Sequence, residues 1–151
     1  MKTLSLALLF SMLAGPLAGS LRAQQLQRIN PDGLIKAPNY TQIVKSGKLL
    51  FISGQTGVTP DGKLVGPGMK EQVDRVLSNL ETAVKSQGGD LSNIAKTTVY
   101  VTSMDEFRTP EVLALRLKRF NNKLPTGTLV QVQRLAEPGY KVEIDAIAVL
   151  P

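Results

Sequence analysis

The sequence contains no cysteine and no histidine, and these two absences exclude much of the chemistry open to a protein of 151 residues. Without them no thiol nucleophile, no Ser-His-Asp triad and no zinc site built on Cys or His ligands can form. Acid–base chemistry is left to carboxylates, Lys, Tyr, backbone groups or bound water. We therefore expect neither a metal ion nor a cofactor. Because disulfides are impossible, the fold must be stabilised by core packing or oligomerisation.

Dense clusters of one charge are also missing. The net charge is +6, and removal of residues 1–23 would delete Lys2 and Arg22 and no acid, which leaves 16 basic against 12 acidic residues, or +4. The basic side chains are spread along the chain without a run of five or six like charges. A solvated surface explains this pattern better than nucleic-acid binding, so we expect no nucleic-acid partner.

The first residues have the layout of a secretory signal peptide. Lys2 is followed by a nearly continuous apolar run from Leu4 to Leu17, and candidate cleavage points follow Ala23 or, slightly earlier, Ser20. This run is shorter than the roughly 20 apolar residues of a transmembrane helix, so a cleaved signal is favoured over an uncleaved anchor. We expect residues 1–23 to be removed and the protein to be periplasmic or secreted, without a membrane association afterwards.

Hydrophobic periodicity in the remainder predicts the element order ββαβαββ in one domain, residues 37–151, preceded by a loose polar arm at residues 24–36. One sheet with both helices on a single face is the economical arrangement, and it makes the fold α+β. The predicted strands are Tyr40–Lys45, Leu49–Gln55, Ile94–Val101, Thr128–Leu135 and Tyr140–Val149, and the predicted helices are Met69–Gln87 and Pro110–Asn121.

Three places could carry chemistry, and each has a plainer explanation. Gly54, after Ser53 at the end of an apolar strand, either lets a group approach the backbone closely or marks a β-bulge. Glu143 and Asp145 share one strand face, where they are either solvated or turned into a cleft that holds a water. Tyr40 could belong to the core, an interface or a pocket wall.

The sequence resembles the Rid family (reactive intermediate deaminase, also called YjgF/YER057c) over about residues 35–150. The similarity is carried by three segments in order: APNYTQIVKSGKLLFISGQTG, IAKTTVYVTSMDEF and KVEIDAIAVL. It implies a chorismate-mutase-like (bacillus type) α+β subunit. It also implies a homotrimer with a central barrel, outer helices, and ligand clefts between subunits. In the deaminating branch, enamines and imines from amino-acid metabolism are hydrolysed to 2-oxo acids and ammonia.

The resemblance also assigns roles to residues of this chain. Tyr40 matches a pocket tyrosine, Ser53 matches the Ser or Thr before the glycine, and Glu143 matches a glutamate that positions the attacking water. The family motif Pro-Ala-Arg-Ser grips the substrate carboxylate through its arginine, and here it reads Pro125-Thr126-Gly127-Thr128.

Gly127 thus stands at the arginine's position, with Thr128 after it. Deaminating members often have an asparagine where this chain has Glu111. We take Ser53, Gly54, Tyr40, Glu111, Gly127 and Thr128 as candidate ligand-binding residues and Glu143 as the candidate catalytic residue.

Four functions fit the sequence. The first is an exported trimer whose intersubunit clefts bind a small metabolite that is not a simple 2-imino acid. The second is an enamine or imine deaminase of altered specificity. The third is a nucleic-acid role, since some relatives are described as endoribonucleases, and the fourth is a trimer that only binds a partner.

Overall fold

A computed structural model describes residues 25–151, so the expected signal peptide, residues 1–23, lies outside the described part. Within residues 25–151 no helix has both the length and the apolar character needed to cross a membrane.

Six strands and three α-helices form one domain, and their bounds are as follows. The strands are β1 (Gln27–Ile29), β2 (Ile43–Ser46), β3 (Leu49–Thr56), β4 (Ile94–Val101), β5 (Thr126–Gln131) and β6 (Val142–Val149). The helices are α1 (Met69–Lys85), α2 (Met104–Phe107) and α3 (Pro110–Arg119), with a 3₁₀ turn at Leu91–Asn93.

The strands form a single mixed sheet in the order β1-β2-β3-β6-β4-β5. All neighbouring pairs are antiparallel except β4 and β5, which are parallel and are connected by α2 and α3. The last strand, β6, lies between β3 and β4, so the centre of the sheet is formed by strands that are far apart in sequence. The α+β fold predicted from the sequence is confirmed.

Local chemistry favours the start of α3 and the end of α1. The Thr109 hydroxyl caps α3 by accepting from the Val112 amide at 3.4 Å, and Pro110 occupies the first turn, as predicted. Helix α1 ends before Gly88, whose φ of +84° suits the left-handed turn that terminates a helix. The predicted bounds of α1 were too long by two residues at this end.

The two faces of the sheet differ in what covers them. Helix α1 packs on β3 and β6, and α3 packs on α1, so the core lies between the sheet and the helices. From β6, the alternate residues Val142, Ile144, Ala146 and Ala148 are buried on this helix-covered face. The opposite face is bare within one subunit and exposes large apolar side chains. These are Leu49, Phe51, Val130 and Val149, each between 39% and 44% exposed.

The expected loose arm at residues 24–36 is corrected by the structure. Within it Gln27–Ile29 forms β1, and Ile29 pairs with Ile43 of β2 at the edge of the sheet. An edge strand has one paired side and two faces that water can reach, so polar Gln27 and Arg28 do not prevent it from forming. The predicted order therefore lacked one strand, and also the four-residue α2, which is too short to show a helical period.

A buried glutamine of α1 ties two loops to the helix. The Gln72 side chain is fully buried, and its Nε2 donates to the carbonyls of Gly66 and Gly139, both at 2.9 Å. Its Oε1 accepts from the Lys141 amide at 2.8 Å. Three backbone groups from two loops thus find their partners in one buried side chain, in hydrogen bonds that are partly shielded from water.

We predict that Gln72→Leu strongly lowers the free energy of unfolding. The substitution leaves three backbone groups without partners, and each such group costs about 1–3 kcal/mol, so we expect a loss of roughly 3 kcal/mol or more. Urea unfolding at fixed protein concentration measures it. Gln87→Leu is the matched control and should change stability little, because Gln87 is half-buried just beyond the same helix and its side-chain hydrogen bonds to Ser86 are exposed to water. Equal stability of the two variants would contradict the role given to Gln72.

Candidate functional site

A cavity of about 380 Å³ opens beside β3 and the start of β6. It contains four of the residues singled out in the sequence, Tyr40, Ser53, Gly54 and Glu143. Its full lining is Ile35, Tyr40, Ser53, Gly54, Thr56, Val58, Ala136, Glu137, Tyr140 and Glu143. We call this space the Glu143 cavity.

The Glu143 carboxylate lies directly against the backbone of Gly54. A Cβ at position 54 would overlap Oε1 of Glu143 and lie 2.8 Å from its carboxyl carbon. The pairing of β3 with β6 is also irregular between Ile52 and Gln55. Both interpretations of Gly54 therefore hold together, since an irregular strand with a glycine provides the space that the carboxylate occupies.

Two causes raise the pKa of Glu143 above the ordinary glutamate value. The larger is burial, which disfavours the charged form, and the smaller is the negative charge of Asp145 on the same strand face. In its ionised form, a carboxylate of raised pKa is a stronger base than an exposed one.

The wall of the cavity around Ser53 is fixed by hydrogen bonds. The Ser53 hydroxyl donates to the Thr41 carbonyl at 2.7 Å, so its proton is already engaged. Behind it, Gln55 Nε2 donates to Gln42 Oε1 at 2.8 Å and to the Ser53 carbonyl at 3.0 Å. Tyr40 is 45% exposed at the rim, which places it on the pocket wall within one subunit rather than in the core.

Three candidate residues lie elsewhere. Glu111 is exposed in the first turn of α3, and Gly127 and Thr128 are exposed on edge strand β5. Gly127 is in register with Thr97 of β4, which pairs with Ala146 of β6. Two strand spacings and three residues separate it from Glu143, or about 14 Å between Cα atoms.

Gly127 also faces the other side of the sheet from Glu143. A Cβ at position 127 would lie 3.4 Å from Oγ1 of Thr97, which is buried on the helix-covered face. Glu143 alternates with the buried residues of β6 and points away from that face. Within one subunit the structure does not bring Gly127, Thr128 or Glu111 to the Glu143 cavity.

The sequence interpretation missed the contribution of the segment before β6. Glu137, Tyr140 and Ala136 line the cavity, although the sequence indicated only a turn at Glu137-Pro138-Gly139. Gly139 has a φ of +85°, and the segment is held to α1 through Gln72. The sequence did offer one signal, since this turn directly precedes the strand that carries Glu143.

The residues assembled here can bind and activate water. The cavity holds one carboxylate of raised pKa, a second carboxylate from Glu137, two phenol groups and a serine hydroxyl, but no Lys or Arg lines it. Among residues 25–151 there is no group of three acidic, Cys or His side chains suited to a metal ion.

Comparison with known proteins finds one family across the whole described domain. A family model described as Endoribonuclease L-PSP matches residues 34–150. The chain is 39% identical over 111 residues to the mouse 2-iminobutanoate/2-iminopropanoate deaminase, covering 73% of this chain and 80% of the mouse protein.

Solved structures agree with this similarity. RidA from an Antarctic Psychrobacter superposes with a TM-score of 0.74 at 30% identity, covering 82% of this chain and 99% of that one. Escherichia coli TdcF with bound serine superposes with a TM-score of 0.72 at 31% identity, covering 82% of this chain and 98% of that one.

We predict that Glu143→Gln raises the thermal midpoint near neutral pH. Because the pKa of Glu143 is raised in the folded state, the folded protein binds more protons, and stability falls as the pH rises through that pKa. The neutral amide removes this penalty. The gain should shrink as the pH falls toward the ordinary glutamate pKa of about 4.3.

Thermal unfolding of both proteins from about pH 4 to pH 8 measures this difference, over the range in which a raised glutamate pKa would lie. Glu111→Gln makes the same exchange at an exposed position of α3 and should leave the midpoint unchanged. A Glu143→Gln protein that is no more stable than the native one at pH 8 would contradict the burial of a charged Glu143.

Proposed function

The chain belongs to the Rid (YjgF/YER057c) family, and on that premise we propose that it hydrolyses the imine or enamine form of a small metabolite to a carbonyl compound and ammonia. The observation that carries this proposal is the Glu143 carboxylate, partly buried, of raised pKa and held in a cavity beside Tyr40, Tyr140 and Ser53. The mouse relative, whose name is that of an imine deaminase, supports the same chemistry.

The proposed reaction accounts for the water oxygen, the transferred protons and the departing nitrogen. Glu143 accepts a proton from water while the water oxygen bonds to the imine carbon, which gives a carbinolamine. When the imine is protonated this carbinolamine is neutral, and Glu143 returns the proton to its nitrogen. As the carbon–nitrogen bond breaks, Glu143 takes the proton of the hydroxyl, so the carbonyl forms and ammonia leaves. An enamine enters the same sequence after it takes up a proton at carbon and becomes an imine. No oxidant, reductant or cofactor is needed for this hydrolysis.

The specificity is proposed to differ from that of deaminases with the family arginine. Gly127 has no side chain to pair with a carboxylate, and no Lys or Arg lines the Glu143 cavity. Loss of a paired charge of this kind costs about 2–5 kcal/mol of binding. Short 2-imino acids should therefore be poor substrates.

A second candidate function is suggested by the same glycine. A cleft that keeps its water-handling acid but lacks a carboxylate anchor could bind a small metabolite without turnover. The nuclease name of the family model is not extended to this chain, because two carboxylates and no cation line the cavity and would repel a phosphodiester.

We further propose that the chain functions as a homotrimer. The bare sheet face carries Leu49, Phe51, Val130 and Val149, and exposed apolar patches of this kind mark interaction surfaces. The separation of Gly127 from Glu143 within one subunit gives a second reason. The arginine position can only approach a water-activating glutamate that belongs to a neighbouring subunit.

Export is proposed on the sequence of residues 1–23 alone. A bacterial cell expressing the full chain should yield periplasmic protein that lacks residues 1–23 or, with the earlier cleavage point, residues 1–20, and intact mass spectrometry measures this. Recovery of the protein only at full length would contradict the proposal.

We predict that Gly127→Arg increases kcat/KM for 2-iminopropanoate at least tenfold, followed as ammonia release. The position accepts a side chain because its Cβ would meet nothing closer than Thr97 Oγ1 at 3.4 Å. A paired charge worth about 2–5 kcal/mol predicts a gain of this order. Gly127→Gln adds length without charge and should give no such gain. If the native protein is as fast as the arginine variant, the loss of the arginine does not limit it.

The catalytic and binding-only functions are separated by a second variant. Glu143→Gln should abolish ammonia release by the Gly127→Arg protein if Glu143 activates water. Undiminished release in the double variant would show that Glu143 is not the base, and no release by any protein would favour the binding function.

We predict that Phe51→Lys dissociates the proposed trimer. A charge on the bare sheet face would be buried at the interface without a partner, which strongly disfavours association. Sedimentation equilibrium should give three chain masses for the native protein and one for the variant. Val65→Lys, at an exposed apolar position outside the sheet, should remain trimeric. A native protein that sediments as a monomer at micromolar concentration would overturn the assembly.

A further inference from the structure

A second cavity of about 430 Å³ lies next to the Glu143 cavity and, unlike it, contains cationic side chains. Its polar lining includes Arg134, Lys141, Gln133 and Thr102. Glu137 and Tyr140 line both cavities, so the two spaces meet at these side chains. The two spaces are therefore adjacent, with Glu137 and Tyr140 between them.

The two cationic side chains of this second cavity differ in whether an acidic residue already pairs with them. The Lys141 ammonium forms an ion pair with Glu106 of α2, so its charge is already balanced. Within residues 25–151 the Arg134 side chain forms no ion pair and no hydrogen bond, and the residue is exposed to solvent. Its guanidinium is therefore free to bind an anion from the cavity.

We propose that Arg134 is the carboxylate-binding residue of this site, in a position distinct from that of the missing arginine at Gly127. The planar guanidinium matches a carboxylate with two parallel hydrogen bonds. The inference rests on the proposed function, because it takes Glu143 as the group that handles the reacting nitrogen end of the ligand.

The geometry determines the class of ligand. The nitrogen end, positively charged when protonated, lies near the carboxylates of Glu143 and Glu137, and the carboxylate end lies near Arg134. In a 2-imino acid both groups are attached to the same carbon, so they cannot occupy separate cavities. The ligand is therefore an elongated zwitterion, an imine or amine nitrogen separated from a carboxylate by several bonds.

Equilibrium binding of a stable analogue to the full mature chain tests this assignment. The probe is 5-aminopentanoate, compared by titration calorimetry with pentylamine, which lacks the carboxylate, and with alanine, which is a short zwitterion. Native protein should bind 5-aminopentanoate more tightly than either. Arg134→Gln should weaken 5-aminopentanoate by about 10- to 100-fold, since a hydrogen bond to a charged group is lost. Pentylamine should be affected less than threefold.

Arg28→Gln removes an exposed arginine of β1 that lines neither cavity and is the matched control, with unchanged binding expected. The proposal is overturned if the native protein does not bind 5-aminopentanoate, or if Arg134→Gln weakens it no more than Arg28→Gln does. It is also overturned if inorganic phosphate displaces 5-aminopentanoate at equal concentration, because the site would then select phosphate over carboxylate.

A different measurement, ammonia release, tests the proposed function. Ammonia release by native protein from an imine that lacks a carboxylate depends on Glu143 and not on an anchor. Release together with absent 5-aminopentanoate binding would overturn the role of Arg134 alone. If binding depends on Arg134 but no ammonia is released, the role of Arg134 in carboxylate binding stands and the proposed hydrolysis is wrong.

Discussion

The contact between the Glu143 carboxylate and the backbone of Gly54 is the constraint on which the rest of the site depends. A charged group can lie this close to a strand only where no Cβ stands in the way, and the irregular pairing of β3 with β6 provides that place. The same crowding partly buries the carboxylate and raises its pKa. Space and burial at Glu143 thus have one structural origin, and Asp145 adds to the rise in pKa that burial causes.

Sequence reasoning predicted the long elements well and the loops poorly. Ile94–Val101 has the bounds of β4, and the cap at Thr109 is where it was expected, because β-branched runs and capping residues act locally. The strand at Gln27–Ile29 was not foreseen, because its polar residues are stabilised by pairing with a strand 14 residues later at Ile29 and Ile43. Local composition cannot show such a contact.

The residues of the candidate site also fall into those that the sequence identified and those that it missed. Tyr40, Ser53, Gly54 and Glu143 were identified by their place at strand ends and by the family resemblance, and the structure brings these four side chains and backbone positions to one cavity. Glu137 and Tyr140 were not identified, because a turn sequence says nothing of what its side chains face. Gln72 holds that turn against α1 across 67 to 69 positions of sequence, so only the folded chain shows that the turn belongs to the site.

Gly127 and Gly54 show how differently two glycines can constrain future change in one protein. At Gly54 any side chain would overlap Glu143, so the position is closed to substitution as long as the carboxylate stays there. At Gly127 a new side chain meets only Thr97 at an ordinary contact distance, on an exposed edge strand. A side chain can therefore be introduced at Gly127 without displacing a neighbour, whereas one at Gly54 would require the Glu143 carboxylate to move. Sequence change is therefore tolerated at Gly127 and excluded at Gly54.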